Sequence, residues 1–409
     1  MIPLLSLLAL AAVFVVATTT PVNMGVLAFV AAFLVGSASG IAVDDVLGFF
    51  PGDVFVLVVG ITLLFGVARV NGTIELVVAA SLRLVRGRRW AVVWLMFLLA
   101  AVLMSLGSVL AVGMLAPIAL PIAARYRIDP LLMGMMLSHG ALSAAFSPIT
   151  VYGAFTSGMV ADAGLAVSPL VLFAVPFGLN VLIAGCLFLV RGRDLLRDRE
   201  RVAEPAVVAE LDATPVRLLT LAGMAGLLVA GSLGVDVGVS AFVIGAALML
   251  VAPEAHKDAV GKVSWSAVLL VCGVLSYMAV LKENGTLGLL GDAAAALGSP
   301  LVAALLLCLA VAVLSAFGSS IGTLGIALPL AVPLLSTGEL GAVAFIVALG
   351  FCSTVVDVSP FSTNGIIVLA QAQVPDRRRF QRQMLGYSAM IVAGAPLLVW
   401  AVAIVPSAL

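Results

Sequence analysis

Apolar residues run through this chain in stretches of about 16–25, separated by short polar or charged segments. That is the length an α-helix needs to cross ~30 Å of hydrocarbon. Strands of a membrane barrel would be shorter and would alternate apolar with polar positions, which these stretches do not do. The pattern predicts spans near 2–18, 22–42 and 54–70, followed by a weaker amphipathic stretch, 73–85, suited to lie along the interface. A long apolar run from Trp90 to Ala124 comes next, with Gly107-Ser108 in its middle and Pro117 and Pro121 later. Spans near 130–160 and 165–190 follow, and the charged segment 191–214 reads as a linker. Residues 215–409 then parse the same way.

The second part repeats the first in sequence as well as in pattern. Ser147-Pro148-Ile149-Thr150-Val151-Tyr152-Gly153 recurs as Ser359-Pro360-Phe361-Ser362-Thr363-Asn364-Gly365, displaced by 212 residues. Val22 to Val30 matches Val235 to Val243 at 213, as Gly60, Arg69 and Asn71-Gly72-Thr73 match Gly273, Lys282 and Asn284-Gly285-Thr286. Ser108, Gly113, Pro117 and Pro121 match Ser320, Gly325, Pro329 and Pro333 at 212. One register held over separate blocks divides the chain into a repeat at 1–190 and a repeat at 215–409.

Charge bears on the long run in each repeat. Arg86, Arg88 and Arg89 precede Trp90, and Arg125 and Arg127 follow Ala124. Basic loops favour the cytoplasm, so both ends of the run belong on one side. Two short spans would satisfy this, but a re-entrant hairpin over 89–126 is favoured, with its counterpart over 299–336. Each repeat then crosses five times, and the second is inverted. With both termini outside, every Lys and Arg except Lys282 falls on the cytoplasmic side. The expected fold is an all-α polytopic membrane protein of two inverted repeats, with broken helices at 130–160 and 341–372. A bacterial inner membrane is the expected location.

Composition agrees: 63% of residues are hydrophobic and 10% charged, with no net charge. No basic surface points to nucleic acid. Cys186, Cys272, Cys308 and Cys352 stand singly in apolar segments and read as packing residues. No phosphate-binding G-x-x-x-x-G-K-[ST] loop appears, so transport would draw on ion or solute gradients. A membrane enzyme or a channel finds no nucleophile–base pair, metal cluster or selectivity ring to rest on.

The broken segments carry the candidate chemistry. Irregular backbone inside a membrane persists only where protein or water satisfies it, and paired breaks in two repeats point to a transporter's binding site. Ser before Pro is a favoured start for a helix. Ser147 and Ser359 are therefore expected to begin half-helices, and the hairpin tips Gly107-Ser108 and Ser319-Ser320 to do likewise. Their amide-rich, positive ends would hold a compact dianion with no Lys or Arg within reach. Candidate substrate contacts are Ser108, Ser147, Thr150, Ser320, Ser359, Ser362, Thr363 and Asn364. For Thr363 and Asn364 a plain turn weighs equally. Asp357, Ser319 and His139 are candidates for coupling to sodium or a proton. Asp357 serves alternatively as a structural cap, and His139 reads more readily as a hydrogen-bonded packing residue. Gly36-Ser37-Ala38-Ser39-Gly40 suggests close helix packing, and His256 with Lys257 reads as solvated loop.

The phrases Ser353-Thr354-Val355-Val356-Asp357-Val358-Ser359-Pro360-Phe361-Ser362-Thr363-Asn364-Gly365 and Phe146-Ser147-Pro148-Ile149 resemble those of the malonate and C4-dicarboxylate carriers. These carriers are similar to the wider divalent-anion/sodium symporter and ion-transporter superfamily. The resemblance implies a homodimer, scaffold and transport domains in each subunit, and an elevator motion. Such carriers bind carboxylate and sodium through Ser-Asn-Thr triplets. Here the tips read Gly107-Ser108-Val109 and Ser319-Ser320-Ile321, so only the serines carry over. The function implied is secondary transport of a small dicarboxylate, with a cation/proton antiporter on the same architecture as the alternative.

Overall fold

The computed structural model describes residues 2–84, 88–162, 164–165, 167–197, 212–286, 299–318, 320–336 and 340–407. These residues form helices joined by short turns. The first repeat holds α1 (Ile2–Thr19), α2 (Met24–Ala38), α3 (Val43–Gly48), α4 (Gly52–Val70), α5 (Thr73–Leu84), α6 (Arg89–Ser105), α7 (Ala111–Arg125), α8 (Pro130–Ser143), α9 (Val151–Asp162) and α10 (Pro169–Arg191), with a single turn, α11 (Asp194–Arg197), after it. The second holds α12 (Pro215–Ser232), α13 (Val237–Val251), α14 (Pro253–His256), α15 (Trp265–Glu283), α16 (Pro300–Ala316), α17 (Ser320–Ser336), α18 (Ala342–Val355), α19 (Thr363–Gln371) and α20 (Arg377–Val399), which runs on through a π turn to Ser407.

Among the described residues, α4, α10, α15 and the helix from Arg377 to Ser407 are long and apolar enough to cross a membrane. Large apolar side chains lie bare on the outside, Val190 at 79% and Leu250 at 80% exposure among them. Water would oppose that surface and lipid would not. The protein is an all-α, integral membrane protein.

Side-chain caps start several helices. The repeat aligns Asn23 with Asp236, and both are N-caps: Asn23 accepts from the Gly25 N–H at 2.8 Å and Asp236 from the Val239 N–H at 2.7 Å. Asp129 caps α8 ahead of Pro130 by accepting from the Leu131 N–H at 2.9 Å.

Packing follows the same register. α2 lies on α15 and α13 lies on α4, the same contact made twice with the repeats exchanged. Glycines permit the backbones to touch. A Cβ on Gly25 would sit 1.9 Å from the Leu269 carbonyl oxygen, and one on Gly273 2.1 Å from that of Gly25. In the exchanged crossing, a Cβ on Gly60 would sit 2.4 Å from the Gly238 carbonyl oxygen. Small residues bring membrane helices together in this way because dispersion, not water exclusion, holds them.

Two bodies result. Helices α1–α5 and α12–α15 pack mainly on one another, as do α6–α8, α10 and α16–α20, while α9 touches both groups. They meet where α9 touches α4 and α15 and where α17 touches α15. His256, expected in solvent, is instead buried at 1% exposure in the first body. Its Nδ1 donates to the Leu248 carbonyl (2.9 Å), so Nε2 accepts from Asn71 Nδ2 (3.1 Å). Asn71 makes the pairing possible by closing its own turn, its Oδ1 accepting from the N–H of Thr73. Asn284 repeats that turn with Thr286.

Candidate functional site

Each Ser-Pro pair lies in a turn before its helix, not at the helix start. The Thr150 N–H donates to the Ser147 carbonyl at 2.9 Å, and the Ser362 N–H to the Ser359 carbonyl at 3.0 Å. Proline fits the second position of such a turn as well as it fits the first turn of a helix. The helices begin four residues later, at Val151 and Thr363. Thr150 and Ser362 thus occupy the cap positions that Ser147 and Ser359 were expected to fill. The Thr150 hydroxyl donates to the carbonyls of Ala145 and Ser147 and accepts from the Gly153 N–H. The Ser362 hydroxyl donates to the Ser359 carbonyl at 2.7 Å.

The tip of the α6–α7 pair is closed by a glycine C-cap. Gly107 has φ +101°, its N–H donates to the Met104 carbonyl (2.8 Å), and the Ser108 N–H donates to that of Leu103 (2.9 Å). Ser108 therefore finishes α6, and α7 begins at Ala111. In the other pair Ser320 is the first residue of α17, as expected, while Ser319 lies outside the described residues.

Tips and breaks are tied together. Ser147 Oγ donates to the Ser105 carbonyl at 2.7 Å, linking the first break to the end of α6. Ser315 Oγ donates to the Ser353 carbonyl at 2.5 Å, linking α16 to α18. Phe317 stacks on Phe361 with ring centroids 5.6 Å apart. The repeats also exchange partners: α7 packs on α19, and α17 packs on α9. Phe146 of the first break presses on Gly350 of α18, and Tyr152 of α9 lies beside Ser320 and within electrostatic reach of Asp357.

Ser108, Ser147, Thr150, Ser320, Ser359, Ser362, Asn364 and Asp357 are all buried. Thr363 is exposed. The Asp357 carboxylate accepts from the Asn364 N–H at 3.3 Å, with the Ser362 side chain and the Thr363 N–H also facing it. Ser320 Oγ and Thr323 Oγ1, one turn apart on α17, have no partner among the described residues. His139 is buried as well. Its Nδ1 meets Asn180 Oδ1 at 2.8 Å and its Nε2 the Tyr387 hydroxyl at 2.7 Å, tying α8 to α10 and α20.

Tyr152 and Thr323 escaped the sequence reading. Tyr152 stands where the other copy has Asn364, and that alignment was the available signal. The expectation that no basic side chain comes near is corrected. A narrow cleft is lined by Ser108 and Gly107 and also by Arg69 and Lys262. No group of three His, Cys, Asp or Glu among the described residues is placed to hold a metal.

Residues 1–145 match the family described as the dicarboxylate carrier protein MatC N-terminus. No curated protein matches the chain significantly by sequence. Two solved structures share the fold. The YdaH transporter of Alcanivorax borkumensis superposes with a TM-score of 0.61 at 20% identity, covering 87% of this chain and 86% of that one. MtrF of Neisseria gonorrhoeae, described among antimetabolite efflux pumps, superposes with a TM-score of 0.57 at 13% identity, covering 88% and 83%. The family match covers residues 1–145 alone, and the two superpositions show a shared fold.

Proposed function

We propose that this protein is a secondary active carrier of small dicarboxylates of malonate or succinate size, coupled to sodium or a proton. The observation that carries the reading is the exchanged packing of α7 on α19 and α17 on α9, which gathers both tips and both breaks around buried hydroxyls. The match of residues 1–145 to a dicarboxylate-carrier family supports the substrate class.

Hydrogen-bond roles divide the site. An anion needs donors. Ser320 and Thr323, whose hydroxyls are uncommitted, would bind the carboxylates together with Ser108 and the amides ahead of α7 and α17. A hydroxyl whose proton already serves a carbonyl offers a lone pair instead. Ser147, Thr150 and Ser362 are of that kind. With Asp357 they suit a cation, which would offset the cost of placing a dianion in low dielectric. Ser359, Thr363 and Asn364 shape the second break around it.

The two bodies fit an elevator, with α6–α10 and α16–α20 moving against α1–α5 and α12–α15. In this reading each inverted repeat crosses five times and holds one hairpin, the subunit works as a homodimer in a bacterial inner membrane, and both termini lie outside. The deciding experiment is uptake of labelled malonate and succinate into proteoliposomes, with and without sodium or proton gradients. Failure to move any dicarboxylate under either gradient would overturn it. The buried Asp357 beside Tyr152 favours one alternative, a cation/proton antiporter. That protein would release protons when sodium is added, with no organic acid present.

A further inference from the structure

We infer that Arg69 and Lys262 form a receiving site for the dianion on the stationary body, at the mouth of the cleft that leads to Ser108. The inference rests on the carrier reading above and names a station of its path.

The cleft runs along the seam between the two bodies. One wall is a single face of α4, built from Thr62, Phe65, Gly66 and Arg69. Their spacing of three and four residues stacks them in a row. Lys262 and Ser264 complete that wall. Gly66 makes room for the lysine: a Cβ there would lie 3.3 Å from Lys262 Cβ, so the lysine stem passes beside Gly66, one turn from Arg69. The opposite wall is the tip, from Gly107 to Leu110, with Met114 of α7. Both cations therefore stand on one body, and the Ser108 tip on the other.

Charge gives the cleft a direction. Arg69 and Lys262 are exposed, and neither has an ion-pair partner among the described residues. Two uncompensated cations in a cleft with low-dielectric walls attract a dianion about twice as strongly as a monoanion, and focusing strengthens both attractions. The apolar lining beyond them, Phe65, Val109, Leu110 and Met114, gives the charge no other counter-ion on the way to the tip. Arg69 lies at the C-terminal end of α4, beside the point where Arg217 bonds to the Asn71 carbonyl (2.9 Å). A dianion held here meets the tip only while the moving body stands at this side. The station thus acts on entry and release at one face and leaves the other alone.

The test has two readouts. The first is amine modification of Lys262, followed by mass spectrometry on the full protein in nanodiscs of zwitterionic lipid, with Lys257, exposed on the same loop, as internal reference. Malonate should slow modification of Lys262 several-fold relative to Lys257, and acetate should not. Equal rates with and without malonate overturn the station. Protection that instead needs anionic lipid and no malonate assigns the pair to a headgroup and overturns it as well.

The second readout is uptake by oriented proteoliposomes. Arg69→Gln and Lys262→Gln should each raise KM about tenfold for uptake from the Arg69 side with that kcat unchanged, and from the opposite side should leave KM unchanged while kcat falls in proportion, as slower release at the Arg69 face requires; Lys262→Arg should restore both. Equal changes from both sides, or none, overturn the proposal. Protection of Lys262 in a wild-type protein that moves no dicarboxylate would keep the anion site and reject the carrier reading, so the two failures are separable.

Discussion

Asp357 Oδ1 accepts a hydrogen bond from the Asn364 N–H at 3.3 Å, so the second broken segment carries its own carboxyl group at the start of α19. A negative charge there is favourable to the helix dipole. The first break has Ala145 at the aligned position and no such charge. The two breaks share a backbone turn, and the second alone carries a carboxyl side chain at this position.

Asp357→Asn keeps an oxygen that can accept from Asn364 and removes the charge. Dicarboxylate uptake should fall more than tenfold and lose its dependence on the coupling cation, while the melting temperature shifts little. Asp357→Ala removes the cap as well and should cost a further ~1 kcal/mol. Uptake by the Asn variant with wild-type cation dependence would assign Asp357 to structure alone.

Tyr152 links the repeats by lying beside Ser320 with Asp357 in range. Tyr152→Phe leaves the ring, which packs edge-on against Phe146 at 6.0 Å, in place. Folding should be unchanged and KM for dicarboxylate should rise several-fold. The paired measurement is thermal unfolding beside initial uptake rate. An unaltered KM would remove Tyr152 from the site.

Gly365 sits against the turn it follows. A Cβ there would come 1.7 Å from the Ser359 carbonyl oxygen, whereas one on Gly386 of α20 would meet nothing within 4 Å. Gly365→Ala must open the Ser359–Ser362 turn, at a cost of about 1–3 kcal/mol or more. Gly386→Ala should be neutral or stabilising by up to ~1 kcal/mol. Melting temperatures of the two variants in one detergent test the contrast.

Asn71 serves four groups: the N–H and hydroxyl of Thr73, the Thr220 hydroxyl at 2.8 Å and His256 Nε2. Asn71→Ala strands them and should destabilise the first body by about 1–3 kcal/mol. Uptake by the surviving folded fraction should be unchanged. A loss of uptake at full stability would give the network a functional part.

Much of the architecture was legible because lipid leaves the backbone few options. Helical spans followed from apolar run length, and the aligned glycines Gly25 and Gly238, Gly60 and Gly273 mark the two close crossings. Local geometry was less legible. Ser147-Pro148 reads equally as a helix start and as the corner of a turn, and the choice falls to Thr150, whose hydroxyl can bond both behind and ahead. His256 looked solvated because its neighbours are charged, yet Asn71, far away in sequence, supplies a buried partner.

By itself the sequence determined that the chain is helical, membrane-embedded and duplicated, since these follow from period, hydrophobic length and self-similarity, each a local property. Tertiary structure alone decided that α7 meets α19 and α17 meets α9, that Tyr152 reaches Ser320, and that Arg69 and Lys262 share a cleft with Ser108. Those contacts join residues of opposite repeats or opposite bodies. They depend on how helices cross, and close crossings are set by glycines such as Gly25 and Gly273, whose fit shows only when both surfaces are present together.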